Sequence, residues 1–297
     1  MNSAMEKSRL LLCRPQGGLN DILCQIELAC RYGERFGRTV VVDTDYRCTR
    51  SFQDKFSKYF VSAQTGLTLD ADAIEDRMAD TDVLPQFLAG RVGLYRAHFD
   101  ANAKIFVEEE SGRAVTFDFT KDHAEPLLVH HDSGGGTISV SALSRLRLQD
   151  SLVAVLRRRL EQIGRPYTAI HIRNTDYKCE YEEWIERRKS EIQGPVFIAT
   201  DNRDTLAHCR SALGAERVYS FAALPPVAGQ VLHRSGDRAG AYARNRDAIL
   251  DLLMLALSKR LHLLELMPNE FGARLSGFSM LAANLKQLRA VLERLIA

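Results

Sequence analysis

A chain of 297 residues exceeds the usual reach of one hydrophobic core, so two domains of roughly 150 residues each, with a cleft between them, are the expectation. Hydrophobic residues make up 45% and charged residues 26%, a balance that excludes a disordered chain, and no segment approaches the roughly 20 apolar residues of a membrane span. A net charge of +2 supplies no global field that would draw nucleic acid.

The first residues carry Lys7 and Arg9, but the apolar run behind them, Leu10 to Cys13, stops at Arg14 and Pro15; that is too short for a signal peptide. Six cysteines (Cys13, Cys24, Cys30, Cys48, Cys179, Cys209) contain no CxxC pair and read as free thiols in a reducing cytoplasm. Arg157-Arg158-Arg159 and Arg187-Arg188-Lys189 read as solvated helix faces. The other reading is a weak attachment to a membrane surface, as enzymes acting on lipid-linked acceptors use.

In chain order, Leu10 to Cys13 reads as a buried strand, Gly17-Gly18 as a turn, and Asn20 or Asp21 as a helix cap. Leu19, Ile22, Leu23, Ile26 and Cys30 follow at helical spacing, Gly37 closes the helix, and Thr39 to Val42 returns as a second strand. This is a βαβ unit with a right-handed crossover and hence a parallel sheet. The stretch from 60 to 125 shows weak periodicity and predicts no particular element. Leu127 to His130 reads as a strand, His131 to Gly136 as a loop, and Ser144 to Ile163 as one helix, with a domain boundary at Gly164-Arg165-Pro166.

The second half repeats the rhythm. Strands are expected at Thr168–Ile172, Val196–Thr200, Arg217–Tyr219 and Leu261–Leu266, with helices at Asp204–Leu213, Arg246–Leu257 and Ser279–Ile296. Alternating β and α in both halves points to an α/β protein of two Rossmann-like, doubly wound domains, 1–164 and 165–297.

His171 and Arg173 stand at the carboxyl end of a strand, where open α/β sheets bind ligands, and as residues two apart they share a face with Ile172 behind them. A guanidinium there can hold a diphosphate and stabilise a leaving nucleotide; it can equally pair with Asp176 and end an ordinary strand. The following Asn174-Thr175-Asp176-Tyr177-Lys178-Cys179-Glu180 sets two acids and a base-capable lysine beside the arginine. That suits deprotonation of an acceptor hydroxyl, or describes a solvated charged turn. Asp201 or Asn202 can cap the helix after Thr200. Ser276-Gly277-Phe278-Ser279 can cradle a phosphate at a helix N-terminus or serve as a bare cap. No DxD-type acidic pair followed by metal-ligand spacing stands out. The histidines (98, 123, 130, 131, 171, 208, 233 and 262) are scattered, and His130-His131 with Asp132 is the one grouping that could take a metal.

Taken together these pieces resemble a family. Arg14-Pro15-Gln16-Gly17-Gly18-Leu19-Asn20-Asp21-Ile22-Leu23, with Arg31-Tyr32 and Gly37-Arg38-Thr39, resembles the opening of bacterial nodulation-factor α1,6-fucosyltransferases and, more loosely, of protein O-fucosyltransferases and α1,2-fucosyltransferases. His171-Ile172-Arg173-Asn174-Thr175-Asp176 is similar to their HxRxxD donor motif, and Val196 to Asn202 to their strand ending in Thr-Asp-Ser. Asp251 to Ala256 resembles the helix whose Asp contacts guanine, and Ser276 to Ser279 their serine-rich phosphate loop.

The resemblance implies a GT-B fold, GDP-fucose as donor substrate, inversion at the anomeric carbon, no cofactor and no obligatory metal, with a glycan or lipid-linked glycan as acceptor. It assigns the β-phosphate to Arg173, guanosine to His171 and Asp251, and the phosphates to Ser276, Phe278 and Ser279. Gly17, Gly18, Asn20, Lys178, Thr200 and Asp201 are further donor-side candidates, Asp176 belongs to the donor motif, and Glu180 is the nearest match to the proposed base. Asp21, on the first domain, can orient the acceptor instead. Two departures stand out: Asn174 replaces the second Arg of the animal α1,6 enzymes, and the segment between Asp251 and Ser276 is longer than the family pattern. A dinucleotide oxidoreductase would need G-x-G-x-x-G after the first strand and an NTPase a Walker A sequence, and neither occurs. The remaining alternatives are a different activated sugar and a non-catalytic nucleotide-sugar-binding protein on the same fold.

Overall fold

The structure, a computed structural model, describes residues 9–49, 51–224, 238–269 and 272–297. Lys7 and His233, singled out in the sequence, lie outside the described residues. The chain divides into two compact units, 1–147 and 148–297.

The N-terminal unit is organised by a five-stranded parallel sheet. Its strands are β1 (Leu10–Cys13), β2 (Thr39–Val42), β3 (Leu67–Thr68), β4 (Val83–Leu84) and β5 (Leu127–His130), in the order β3-β2-β1-β5-β4. The central strand β1 is wholly buried, as a parallel strand covered on both faces must be. Leu10 and Leu12 join Val41, Leu127 and Val129 in one core cluster. The crossover helix α1 (Leu19–Phe36) buries Ile22, Leu23, Ile26, Ala29 and Cys30. Gly37 ends it in the left-handed conformation at φ 66°, its N–H donating to the Gly33 carbonyl. Gly33 is required for another reason: a Cβ there would stand 2.7 Å from the Arg38 carbonyl oxygen. The helix cap differs from the expected Asn20 or Asp21. Gly18 is the N-cap, and Asp21, three residues in, reaches back to the Gly18 N–H at 3.1 Å.

Between residues 56 and 108 the unit is built from short 3₁₀ turns, the two-residue strands β3 and β4, and an antiparallel hairpin of Ala97–Asp100 with Ile105–Glu108. Elements of two to four residues are too short to carry a periodicity, which is why none is legible in the sequence.

The C-terminal unit holds a four-stranded parallel sheet of β6 (Thr168–Ile172), β7 (Val196–Thr200), β8 (Val218–Tyr219) and β9 (Arg260–Leu263), in the order β8-β7-β6-β9. Its helices are α2 (Asp150–Ile163), α3 (Tyr181–Arg188), α4 (Arg203–Leu213), α5 (Ala241–Leu257), α6 (Gly277–Gln287) and α7 (Arg289–Leu295). One sheet face packs Ile170, Ile172, Val196 and Ile198 against Ile185, Cys209 and Leu213. Helix α5 packs against β6 and β7 and against α6.

Several element expectations are corrected. Ser144 to Ile163 is not one helix: Ser139–Leu143 is a short helix, Leu146–Leu148 a strand with a buried-exposed-buried alternation, and α2 begins at Asp150. The chain extends there because the Arg145 carbonyl accepts from the Ala63 N–H at 2.8 Å. The two compact units divide at 147/148, with α2 in the second, where it packs against α5. The closing helix breaks at Leu288, whose φ −92° and ψ 64° are not helical. The last strand also stops early, at Leu263, because the next N–H groups turn elsewhere: Leu266 donates to Arg274 O and Met267 to Lys178 O.

Candidate active site

At the carboxyl end of β6, Arg173 is held between two carboxylates. Its Nη1 lies 2.8 Å from Asp201 Oδ2, and its Nη2 and Nε lie 2.7 and 2.9 Å from Asp176 Oδ1. The guanidinium side chain remains 21% exposed, so its charge is paired yet reachable by a ligand. Asp201 closes the neighbouring strand β7 and does more than pair. It accepts from the Asn174 N–H at 3.0 Å and from the Thr175 hydroxyl at 2.6 Å, pinning the loop that carries Arg173. Asn202, not Asp201, caps α4, accepting from the Thr205 N–H at 3.0 Å. Asn174 donates to the Thr205 hydroxyl at 2.8 Å and adds a second tie to α4. Thr200 is buried and accepts from the Asn202 N–H at 3.3 Å.

Lys178 and Glu180 lie in the exposed part of the same loop. The Lys178 ammonium donates to the Asn174 carbonyl at 3.3 Å, and Glu180 occupies the N-cap position of α3 without capping it through its side chain.

His171 takes another direction. It is 7% exposed, its Nδ1 is 2.7 Å from the Ser279 hydroxyl, and its ring centroid lies 5.1 Å from that of Phe278. Ser276 caps α6, accepting from the Ser279 N–H and donating to the Ser279 hydroxyl, each at 3.1 Å. Burial, reinforced by the neighbouring Arg173 charge, pushes the His171 pKa down to about 3, so the imidazole is neutral at physiological pH. His171 therefore fastens the positive end of α6 to the strand that delivers Arg173, and this end of β6 gathers a guanidinium, a helix N-terminus and two hydroxyls.

Asp251 is buried on α5 and receives Arg159 Nη1 at 3.2 Å, while Arg159 Nη2 takes Asp247 at 2.6 Å. Burial, opposed by Arg159 and reinforced by Asp247, raises the Asp251 carboxyl to about 8. Arg159 is buried, unlike its exposed neighbours Arg157 and Arg158, with which the sequence pattern groups it on a solvated face. The spacing Leu152, Leu156, Arg159, Ile163 on the buried side of α2 was the signal that separates it. Around α3, Arg187, Arg188 and Lys189 each have a carboxylate partner, in Glu183, Glu191 and Glu186.

In the N-terminal unit, Gly17 has φ 102°, and a Cβ there would stand 2.6 Å from Asp21 Oδ2, so this turn admits only glycine. Gly17 N–H donates to the Ser51 hydroxyl at 3.2 Å. Asn20 accepts from the Ser139 hydroxyl at 2.6 Å and donates to Gly136 O at 3.3 Å. Burial raises the Asp21 pKa. The His130-His131-Asp132 grouping does not converge on one ligand. His130 bonds Thr116 and Gln25, His131 bonds the Tyr95 hydroxyl, and Asp132 accepts from the Phe106 and Ser133 N–H groups. Among the described residues no three His, Cys, Asp or Glu side chains form a metal-binding group, no helix is long and apolar enough to cross a membrane, and all six cysteines are free.

No protein-family model matches this chain, and no curated protein matches it. Solved structures do. Fucosyltransferase NodZ from Bradyrhizobium matches at 17% identity with a TM-score of 0.61, over 94% of this chain and 94% of that one. NodZ alpha-1,6-fucosyltransferase co-crystallized with GDP matches at 18% identity and a TM-score of 0.59, over 94% and 93%. POFUT1 in complex with GDP matches at 11% identity and a TM-score of 0.53, over 94% and 95%. At these identities the likeness is one of fold: this chain has the α/β, GT-B-like fold of solved fucosyltransferases.

Proposed function

We propose that the chain is a glycosyltransferase that binds GDP-fucose through its C-terminal unit and transfers the fucosyl group to a glycan or lipid-linked glycan hydroxyl, with inversion and without a metal. The observation that carries this reading is Arg173, half-open between Asp176 and Asp201, at a strand end that His171 and Ser279 tie to the N-terminus of α6. It occurs in a fold shared with transferases solved with GDP and, for NodZ, soaked with GDP-fucose.

In this reading the diphosphate displaces Asp176 from Arg173. Asp201 stays, because the Asn174 N–H and Thr175 hydroxyl also hold it. The acceptor oxygen attacks the anomeric carbon as its bond to the β-phosphate oxygen breaks. The electron pair departs with GDP, where Arg173 and the α6 N–H groups stabilise it. The acceptor proton passes to a carboxylate, assigned to Glu180, with Asp21 orienting the acceptor. Gly17, Gly18, Asn20, Lys178, Thr200 and Asp251 complete the proposed set, and the N-terminal unit is the acceptor side. A reducing cytoplasmic setting fits the free thiols, and any membrane attachment through the paired cations around α3 is weak.

A thermal-shift panel of nucleoside diphosphates and nucleotide-sugars tests the donor: GDP and GDP-fucose are expected to stabilise the protein most, and equal or greater stabilisation by UDP or ADP compounds overturns the assignment. Glu180→Gln is expected to lower turnover by about 10²- to 10⁴-fold with GDP binding retained. A loss confined to Asp21→Asn would move the base to the N-terminal unit. Loss of transfer in EDTA with rescue by Mn or Mg would refute the metal-free reaction. Donor binding without turnover on any acceptor would favour a binding protein.

A further inference from the structure

The N-terminal unit contains a cavity of about 480 Å³, within the ~300–1,000 Å³ of small-molecule sites. It is formed by residues that follow three adjacent strands: Arg14 after β1, Asp43 after β2, and Leu69 and Asp70 after β3. It thus opens at the carboxyl ends of a parallel sheet, the side on which such sheets receive ligands. None of the family-like motif residues except Arg14 lines it.

The lining narrows the chemistry of the occupant. Five carboxylates, Asp43, Asp45, Asp70, Asp72 and Glu75, face three cations, leaving two negative charges in excess. The cations are already engaged. Arg14 Nε is 2.8 Å from Asp43, Lys55 pairs with Asp70 at 3.3 Å and with Asp72, and Arg47 donates to the Gly93 carbonyl at 2.9 Å. An anionic ligand meets net repulsion here. A purely apolar ligand would strip water from the exposed carboxylates of Asp72 and Glu75, which is costly for ionised groups. Between the charged groups, Leu69, Met78 and Leu94 present apolar surface. Carboxylate acceptors beside aliphatic patches match a molecule with hydroxyl or amino edges and C–H faces.

We infer that this cavity binds a neutral or amine-bearing saccharide unit and excludes acidic sugars. Its description as an acceptor subsite rests on the transferase reading above; the binding itself does not. Carboxylates accept from ring hydroxyls, and an amino substituent gains further from the excess negative charge.

Two substitutions separate the site from the fold. Gly93 lines the cavity with no left-handed φ, and a Cβ on it meets no atom within 4 Å. Gly93→Phe therefore places a ring at the cavity wall without backbone strain, and leaves the carbonyl that Arg47 uses. Glu75→Lys, at an exposed position, cancels the charge excess. Saturation-transfer NMR titrations of the full chain with glucosamine, glucose and glucuronic acid read out binding. Wild type is expected to bind glucosamine more tightly than glucose and to give no response to glucuronic acid. Gly93→Phe should raise the glucosamine Kd at least tenfold, Glu75→Lys should abolish the preference for glucosamine over glucose, and the GDP-induced thermal shift should be unchanged in both. Absence of glucosamine binding in wild type, equal binding of glucuronic acid, or undiminished binding in Gly93→Phe overturns the inference. A missing GDP shift in wild type would overturn the transferase reading alone.

Discussion

The two units make the same local construction and use it differently. In each, an arginine directly follows the central strand and pairs with an aspartate that directly follows the neighbouring parallel strand: Arg14 with Asp43 in the first unit, Arg173 with Asp201 in the second, both at 2.8 Å. Arg14 is then sealed. Its side chain is 1% exposed, its guanidinium lies 3.4 Å from the Tyr46 ring centroid, and its Nη1 donates to the Val92 carbonyl at 2.7 Å. Arg173 keeps 21% exposure and a second carboxylate, Asp176, only three residues along its own loop. A sealed pair holds strands together, whereas an accessible one can exchange a carboxylate for a phosphate. What surrounds an Arg–Asp pair, not the pair itself, decides which role it takes.

The sharpest break of this comparison is expected from Arg14→Ala. It leaves Asp43 without its counter-charge and a void beside Tyr46, so the N-terminal unit should lose about 3–5 kcal/mol, read by urea unfolding. A wild-type midpoint for this variant would show that Arg14 is no more structural than Arg173.

Acid should separate the units next. In the first, burial holds the His130 pKa down at about 4 and lowers His131 well below its ordinary value. The unfolded chain takes up these protons near pH 6.5, so stability present above that pH is lost as pH falls toward 4, by about 2 kcal/mol for His130 at pH 4.5. The second unit loses a similar amount through His171 but has the opposite contribution from Asp251. Its raised pKa of about 8 means that the folded state already holds the proton, so lowering the pH from 8 toward 4 favours folding. Amide exchange at pH 7 and 4.5 should therefore show protection falling further in β1 and β5 than in β6 and β7. An equal fall in both sheets would contradict the assignment.

Arg173→Ala should leave both unfolding transitions near wild type while weakening donor binding and transfer. The loss of a charge-assisted contact of about 1.5–3 kcal/mol corresponds to roughly 10- to 150-fold. Isothermal titration with GDP checks it, and an unchanged Kd and turnover would remove Arg173 from the site. The smallest effect belongs to the helix start: Ser276→Ala removes the α6 cap and should destabilise the second unit by about 1 kcal/mol. The α1 entry has no equivalent hydroxyl at its N-cap, Gly18, so Gly18→Ala offers a control that a side-chain cap does not explain. A Ser276→Ala protein as stable as wild type would mean that His171 and Ser279 alone hold α6.

Elements and motifs were legible wherever local chemistry is self-sufficient. The buried strands Leu10–Cys13, Thr168–Ile172 and Val196–Thr200 are apolar runs that no other structure would satisfy. The α1 stripe has helical period, and Gly37 provides the left-handed stop. The order of the motifs implied the fold, and the solved fucosyltransferases share it. Such features depend on residues a few positions apart, so the amino-acid sequence determined them by itself.

Tertiary structure decided the rest, because it depends on partners that are distant in sequence. Leu146–Leu148 is a strand since Ala63 presents an N–H to Arg145; alone, the segment reads as the first turn of α2. Asp201 was expected as a donor contact or a cap, but its role as the anchor of Arg173 arises only because β6 and β7 are adjacent and in register, with Ile172 opposite Thr200. Arg159 carries the same charge as Arg157 and Arg158, and only the packing of α2 against α5 sets it between Asp247 and Asp251. Charge and residue type are properties of a sequence. Exposure, and with it the choice between holding the fold and holding a ligand, belongs to the packed chain.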